Sequence, residues 1–309
     1  MMICLGTTPA LQRTMEFERL VIDDVNRAAR VTVYASGKPG NVARVLTTLG
    51  ERAVLATFVG GDTGRAYVAD LKRAGIEPAL VETSAATRVC ITVVDRGAGT
   101  ATELIEEPGA VEPAGWDALV SKLQALLPQA KGLVLSGSLA PPQPAGFYAT
   151  CVRLARTAGV RCVVDARGEP LRRAIAERPD VIKPNLAELA DTVGRELQSE
   201  SDIAEAIGET CRAGAGRVLV TRGSAGAIAG DGRQCWRIGV PKITPTSAIG
   251  SGDSVAAGLI AAMTRGIDLP EAAKLAMACG VANALTPHAG HVDAEEVRRL
   301  AGQITVEPM

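Results

Sequence analysis

Neither sign of charge dominates this chain: 33 lysines and arginines stand against 34 aspartates and glutamates, a net charge of -1. Without a basic excess there is no footprint for nucleic acid, and without an acidic tail no sign of a disordered segment. Paired cysteines are missing as well. The seven cysteines stand singly at 4, 90, 151, 162, 211, 235 and 279, with no Cys-x-x-Cys, which argues against a disulfide framework or a zinc knuckle and suits a reducing cytoplasm. Met1 to Gly6 has no basic leader region, and no apolar run reaches the roughly 18 residues of a membrane span, so no membrane partner is expected. Two nucleotide fingerprints are also absent. A Gly-x-Gly-x-x-Gly read from Gly250 fails at Val255, and no Gly-x-x-x-x-Gly-Lys-Ser/Thr occurs, so neither a dehydrogenase nor a P-loop enzyme is supported. His288 and His291 flank Gly290 without a nearby cysteine or acid, and they read as loop histidines rather than metal ligands.

What the chain does have is a rhythm. Its 309 residues, 47% of them hydrophobic, suffice for a sizeable core. A strand at 3–5 ends on Gly6, 29–34 alternates as a half-exposed strand, 35–40 is a turn cluster, and 41–49 is a helix stopped by Gly50. Strand 53–58, helix 62–74 and strand 79–81 set a βαβ pattern. That pattern breaks where the arms 88–95 and 100–106 flank Arg96-Gly97-Ala98-Gly99 as a hairpin. With 29–34 this predicts a small lid sheet drawn from about 12–35 and 86–108. Alternation resumes with helix 113–127, strand 132–135, helix 144–158, strand 160–164, helix 168–177 and a short strand before Lys183. Strand 217–221, a hairpin over 226–236 and helices near 252–265, 270–285 and 293–301 close the chain. One α/β domain over 1–309 is expected, its mostly parallel sheet covered by helices on both faces and its ligands at the carboxyl ends of the strands.

Thr246 to Gly258 is the most informative stretch. A glycine-flanked turn runs into an alanine-rich helix, whose unpaired N–H groups and dipole favour an anion. Asp253 in the first turn is either a cap and dipole partner or, with a phosphate on the same N–H groups, a base for an attacking hydroxyl. Loops after strands carry Ser136-Gly137-Ser138, Asp165-Ala166-Arg167-Gly168, Lys183-Pro184-Asn185 through Glu188, and Thr221-Arg222-Gly223. Singly these are turns, caps or a capping box; jointly they suit a phosphorylated ligand with a metal. Lys38 lies in a glycine loop before a helix, an arrangement that receives anions as readily as it leaves a solvated lysine.

Gly250-Ser251-Gly252-Asp253, Asn185-x-x-Glu188, Thr221-Arg222-Gly223 and Ser36-Gly37-Lys38 through Asn41 match the signature segments of the ribokinase-like carbohydrate kinases, the phosphofructokinase B family. The chain resembles that family nearly end to end. Val25-Asn26-Arg27, Thr87-Arg88, Thr102-Glu103-Leu104 and Ser136-Gly137-Ser138 are similar to segments of its 1-phosphofructokinase and tagatose-6-phosphate kinase branch. The resemblance implies a ribokinase-like three-layer α/β fold with a β-sheet lid, and phosphoryl transfer from ATP, with Mg2+, to a hydroxyl of a ketohexose phosphate. It makes Asp253 the base and the N–H groups of Gly250, Ser251 and Gly252 the anion hole. Lys183, Asn185, Glu188, Thr221 and Gly223 would bind the nucleotide, Asn185 and Glu188 reaching magnesium through water. Gln12, Gly37, Lys38, Asn41, Arg88 and Ser138 would hold the sugar phosphate. Arg27 would reach it from the other subunit of a homodimer paired through the lids.

Two departures from the family pattern fall on sugar recognition. Thr8-Pro9-Ala10-Leu11-Gln12 stands where the family carries Asn-Pro-x-x-Asp, so a carboxylate is replaced by an amide that both donates and accepts. Pro39 replaces a glycine and removes a donor, so the loop must differ locally or shift its glycine to Gly40. These departures motivate two rival expectations: a sugar-phosphate-binding regulator with weakened catalysis, or a kinase for an unphosphorylated sugar or nucleoside.

Overall fold

Uninterrupted apolar runs such as Met2–Leu5 and Ala53–Val59 are buried along their whole length, as strands covered on both faces must be. Residues 1–309 are described by a computed structural model. The chain first lays down β1 (Met2–Leu5), β2 (Ala10–Phe17), β3 (Arg30–Ser36), α1 (Lys38–Thr48), β4 (Ala53–Val59), α2 (Gly61–Arg73), β5 (Glu77–Glu82), β6 (Arg88–Asp95) and β7 (Thr100–Ile105). There follow α3 (Pro113–Leu126), β8 (Gly132–Ser136), α4 (Phe147–Thr157), β9 (Arg161–Asp165), α5 (Gly168–Ala176), β10 (Val181–Ile182), α6 (Leu186–Val193) and α7 (Glu200–Ala213). The last part holds β11 (Val218–Thr221), β12 (Ala227–Gly230), β13 (Cys235–Gly239), α8 (Ser251–Met263), α9 (Leu269–Ala284), α10 (Ala294–Ala301) and β14 (Thr305–Pro308).

Ten strands form the main sheet in the order β14-β13-β12-β11-β10-β9-β8-β1-β4-β5. Pairs from β11 through β5 are parallel, and β12 to β14 extend the edge antiparallel. Alternate residues split the core into two layers: Met2, Cys4, Val134 and Val163 pack with α1, α8, α9 and α10, while Ile3, Leu5, Leu133 and Val164 pack with α3, α4, α5 and α7. The chain winds one way through β1, β4 and β5 and the other through β8, β9 and β10, so the order reverses between β1 and β8. At such a reversal the loops beyond the strands part and leave a crevice. The second sheet, β3-β2-β6-β7, stands apart as the lid.

Three local readings change. β2 was not read as a strand, because three of its five buried residues are polar: Gln12, Thr14 and Glu16 are inside, with Ala10 and Phe17, while Arg13 is exposed. Its inner side looks onto a cavity rather than a core, which inverts the usual pattern. α1 starts at Lys38, so Pro39 occupies its first turn, where no N–H is required; the positive φ falls on Gly37, at +84°, and no glycine shift to Gly40 is needed. α6, α7 and β14 add to the elements read from the sequence.

α8 is buried on every side from Asp253 to Met263. It can be, because Ala and Gly let neighbours close in; a Cβ on Gly258 would lie 2.8 Å from Cα of Ala276 in α9. The N-terminus of this rigid helix opens into the crevice.

Candidate active site

Gly250 caps α8 at φ +83°. A Cβ there would sit 2.7 Å from Cβ of Ala289 and 2.8 Å from the nitrogen of Gly290, so only glycine allows the turn. Of the three N–H groups expected to receive an anion, one is already engaged. The N–H of Ser251 donates back to the Ala248 carbonyl at 3.2 Å to close the turn, whereas those of Gly250, Gly252 and Asp253 have no acceptor. The open donors are therefore Gly250, Gly252 and Asp253, and Ser251 instead accepts from Asn283 Nδ2 at 3.3 Å. The ammonium of Lys183 lies beside Gly252, 3.5 Å from where a Cβ would be.

Asp253 is 5% exposed and accepts from Asn41 Nδ2 at 2.8 Å. Burial pushes its carboxyl up to about 6; Lys38 opposes this, Asp165 adds to it, and Asn41 and Lys183 pull it down. A carboxylate that changes charge near neutrality and adjoins free N–H donors is suited to taking a proton from a hydroxyl.

Behind it stands Asp165, 1% exposed, with Lys183 Nζ at 3.3 Å and Lys38 Nζ at 3.7 Å. Neither of its oxygens has a hydrogen-bond partner, so the two lysines compensate it by charge alone. Asp165 in turn holds Lys38 protonated, raising its pKa. The sequence reading noticed the 165–168 loop but gave Asp165 no role. The available signal was its place at the carboxyl end of an apolar strand next to the order reversal.

Asp253 and Lys38, with Asp165 and Lys183 behind them, stand at a cavity of about 510 Å³ roofed by the lid. Gln12, Gly37, Lys38, Asn41, Arg88 and Ser138 all line it, together with Glu188, Gly250, Gly252 and Asp253. Gln12 is fixed by donating Nε2 to Thr92 Oγ1 at 2.8 Å, which leaves its carbonyl oxygen as the acceptor for a ligand. Arg88 donates to the carbonyls of Glu106 at 3.0 Å and Thr8 at 3.3 Å, and its buried Nε has no partner. Glu103, to which the sequence reading assigned no contact, lines the same cavity, and its carboxyl is pushed up by desolvation against the pull of Arg88.

The residues expected to meet the nucleotide are divided. Asn185 and Glu188 form a complete capping box at the start of α6, each bonded to the other's backbone N–H at 2.9 Å. Asn185, Thr221 and Gly223 line a neighbouring depression of about 620 Å³ rather than the cavity, and only Glu188 of this group reaches the latter. No three His, Cys, Asp or Glu side chains converge on one metal position. Magnesium fits such a site, because it keeps much of its water and needs one or two carboxylates beside the phosphates of its nucleotide. Arg27 is exposed between β2 and β3 and is not brought into its own chain's cavity. His288 and His291 meet the Tyr34 ring edge-on, at 5.6 and 4.9 Å between centroids.

The family model described as pfkB family carbohydrate kinase matches residues 3–295. The chain belongs to that family. Among pfkB relatives it is similar to 1-phosphofructokinase of Rhodobacter capsulatus, 34% identical over 304 residues that cover 97% of this chain and 95% of that one. It is also similar to tagatose-6-phosphate kinase of Staphylococcus epidermidis, 28% identical over 309 residues and 99% of each chain. In structure it superposes on phosphofructokinase-2 of Escherichia coli in complex with fructose-6-phosphate with a TM-score of 0.87, at 26% identity, covering 98% and 97% of the two chains. The protein is thus an ATP-dependent carbohydrate kinase of the pfkB family, and no helix in it is long and apolar enough to cross a membrane.

Proposed function

We propose that this kinase phosphorylates a hydroxyl of a ketohexose that already bears a phosphate. The observation that carries this is the gathering of two sets of groups on one cavity: Asp253 with the open N–H donors of Gly250 and Gly252, and the cations Lys38 and Arg88. Asp253 takes the proton of the acceptor hydroxyl. The helix-start donors and Lys183 hold the negative charge that spreads over the phosphoryl group in flight. ATP is the phosphoryl donor, and Glu188 and, through water, Asn185 would hold a Mg2+ that would offset the charge of its phosphates. Lys183, Thr221 and Gly223 hold the nucleotide. Arg88, Lys38 and Ser138 hold the substrate's own phosphate, while Gln12, Gly37 and Asn41 surround the sugar.

The outer side of the lid supports a homodimer. Leu11, Met15, Val89, Ile91 and Val93 share that side by strand register, and Val31, Val33 and Leu104 on it are 39 to 53% exposed. A second copy would cover this surface and bring its Arg27 near the cavity. Seven free cysteines and dependence on ATP suit the cytoplasm.

The test is a coupled ADP-release assay with fructose 1-phosphate, tagatose 6-phosphate, fructose 6-phosphate, ribose and adenosine. Turnover is expected only with phosphorylated ketohexoses, falling at least about 100-fold in Asp253→Asn. Efficient use of ribose or adenosine would sink the substrate class; stabilisation by a sugar phosphate without turnover would mark a binding protein.

A further inference from the structure

Asn41 was expected to touch sugar, yet its amide is committed elsewhere. Nδ2 donates to Asp253 Oδ2 at 2.8 Å, and Oδ1 accepts from Ser36 Oγ at 2.8 Å. The polarity of this chain is forced. An ionised carboxylate only accepts, so the NH2 group must face Asp253, and the Ser36 hydroxyl must then donate to the carbonyl side. All three residues are 5% exposed or less, so most of each side chain is held by protein rather than water.

Packing fixes the amide further. Asn41 sits in the first turn of α1, which Pro39 starts, and Gly290, at φ +71°, presses on it so closely that a Cβ there would lie 2.6 Å from Cα of Asn41. Ser36 is the last residue of lid strand β3, paired with Ala10 of β2. The charged groups around Asp253 are Lys38, on α1 with Asn41, Asp165 at the end of β9, and Lys183 after β10. None of them contacts the carboxylate as Asn41 does.

We propose that Asn41 is the positioning residue of the base: with its amide oriented by Ser36, it occupies one oxygen of Asp253, holds the carboxylate in one rotamer, and leaves the other oxygen for the substrate hydroxyl. The inference rests on Asp253 being the base, as argued above. It gives Ser36 and Asn41 a role in proton transfer beyond lining the sugar site, and it ties the base to the strand that roofs the cavity.

The variants are Asn41→Leu, of similar volume without the amide, and Ser36→Ala, which removes only the orienting hydroxyl. The first readout is the Asp253 carboxyl titration by 13C NMR, its signal assigned with Asp253→Asn. Asn41→Leu is expected to raise that titration by about one pH unit, since a hydrogen bond to the charged form is lost. It should lower kcat by roughly 10- to 100-fold with the KM for ATP unchanged, as for a lost transition-state interaction. The acid limb of kcat/KM should move up with the carboxyl, and Ser36→Ala should do the same to a smaller extent. An unmoved titration, or a loss confined to the KM for the sugar phosphate, would overturn the proposal and leave Asn41 as a sugar contact. Should Asn41→Leu fail to fold, Ser36→Ala decides alone: an unchanged titration and kcat overturn it. A wild-type protein with no turnover on any ketohexose phosphate would instead defeat the functional reading, while the titration would still report on Asn41.

Discussion

At the scale of single residues, the site consists of charges kept where water does not compensate them. Asp253 moves from its ordinary value of 3.8 to about 6, chiefly by burial, and two consequences follow. Only the carboxylate can accept a proton, so kcat/KM is expected to rise with pH through about 6 and then level off, a limb that Asp253→Asn should abolish. Stability runs the other way. A carboxyl whose pKa is raised by folding is protonated more readily when folded, so its burial destabilises above pH 6 and the penalty fades as pH falls towards 4. At about 1.4 kcal/mol per pH unit, the cost is on the order of 3 kcal/mol at pH 8. Thermal melts should find Asp253→Asn more stable than wild type at pH 8 and the gap mostly closed at pH 4; a gap independent of pH would show that Asp253 titrates normally. Lys38 and Lys183 share Asp165, so replacing Asp165 by asparagine should weaken binding of anionic substrates less than it disorders the two ammonium groups, visible as a loss of kcat larger than any rise in KM.

At the scale of elements, α8 was legible and β2 was not, for opposite reasons. Gly250 and Gly252 just ahead of a single acid, followed by an alanine-rich run, can form little other than a tightly packed helix with an open N-terminus. In β2 the residues facing inward are Gln12, Thr14 and Glu16, so the alternation that marks a strand was present with its sense reversed. The start of α1 was blurred by Pro39, which reads as a loop residue and serves as a helix starter. Asp165 was invisible as a partner because its ion pairs join β9 to residues far along the chain in both directions, and no spacing rule reaches that far. Gly250 offers the sharpest test at this scale. Gly250→Ala places a methyl group against Ala289 and Gly290 at a positive φ, and is expected to destabilise by about 1–3 kcal/mol and to cut kcat by at least about 10-fold through the displaced N–H groups. Activity near wild type would mean that the helix start does not shape the transition state.

At the scale of the whole molecule, a ten-stranded sheet with two helical layers supplies rigidity, and the four-stranded lid supplies the cavity's roof. Along β2 and β6 the lid turns Gln12, Thr14, Glu16 and Thr92 inward and Leu11, Met15, Ile91 and Val93 outward, with Arg13 among the latter. Val33→Asp combined with Leu104→Asp is expected to yield a monomer by analytical ultracentrifugation, with turnover reduced if the partner's lid completes the site. A monomer already present in the wild type at micromolar concentration would remove the dimer from the account. If, as proposed, a second molecule finishes the roof, a further consequence for kinetics follows. Specific activity then ceases to be a fixed property of the chain: on dilution towards the dissociation constant, the rate should fall more steeply than in proportion to enzyme, approaching second order, and expression level would set the catalytic power of each molecule as well as their number.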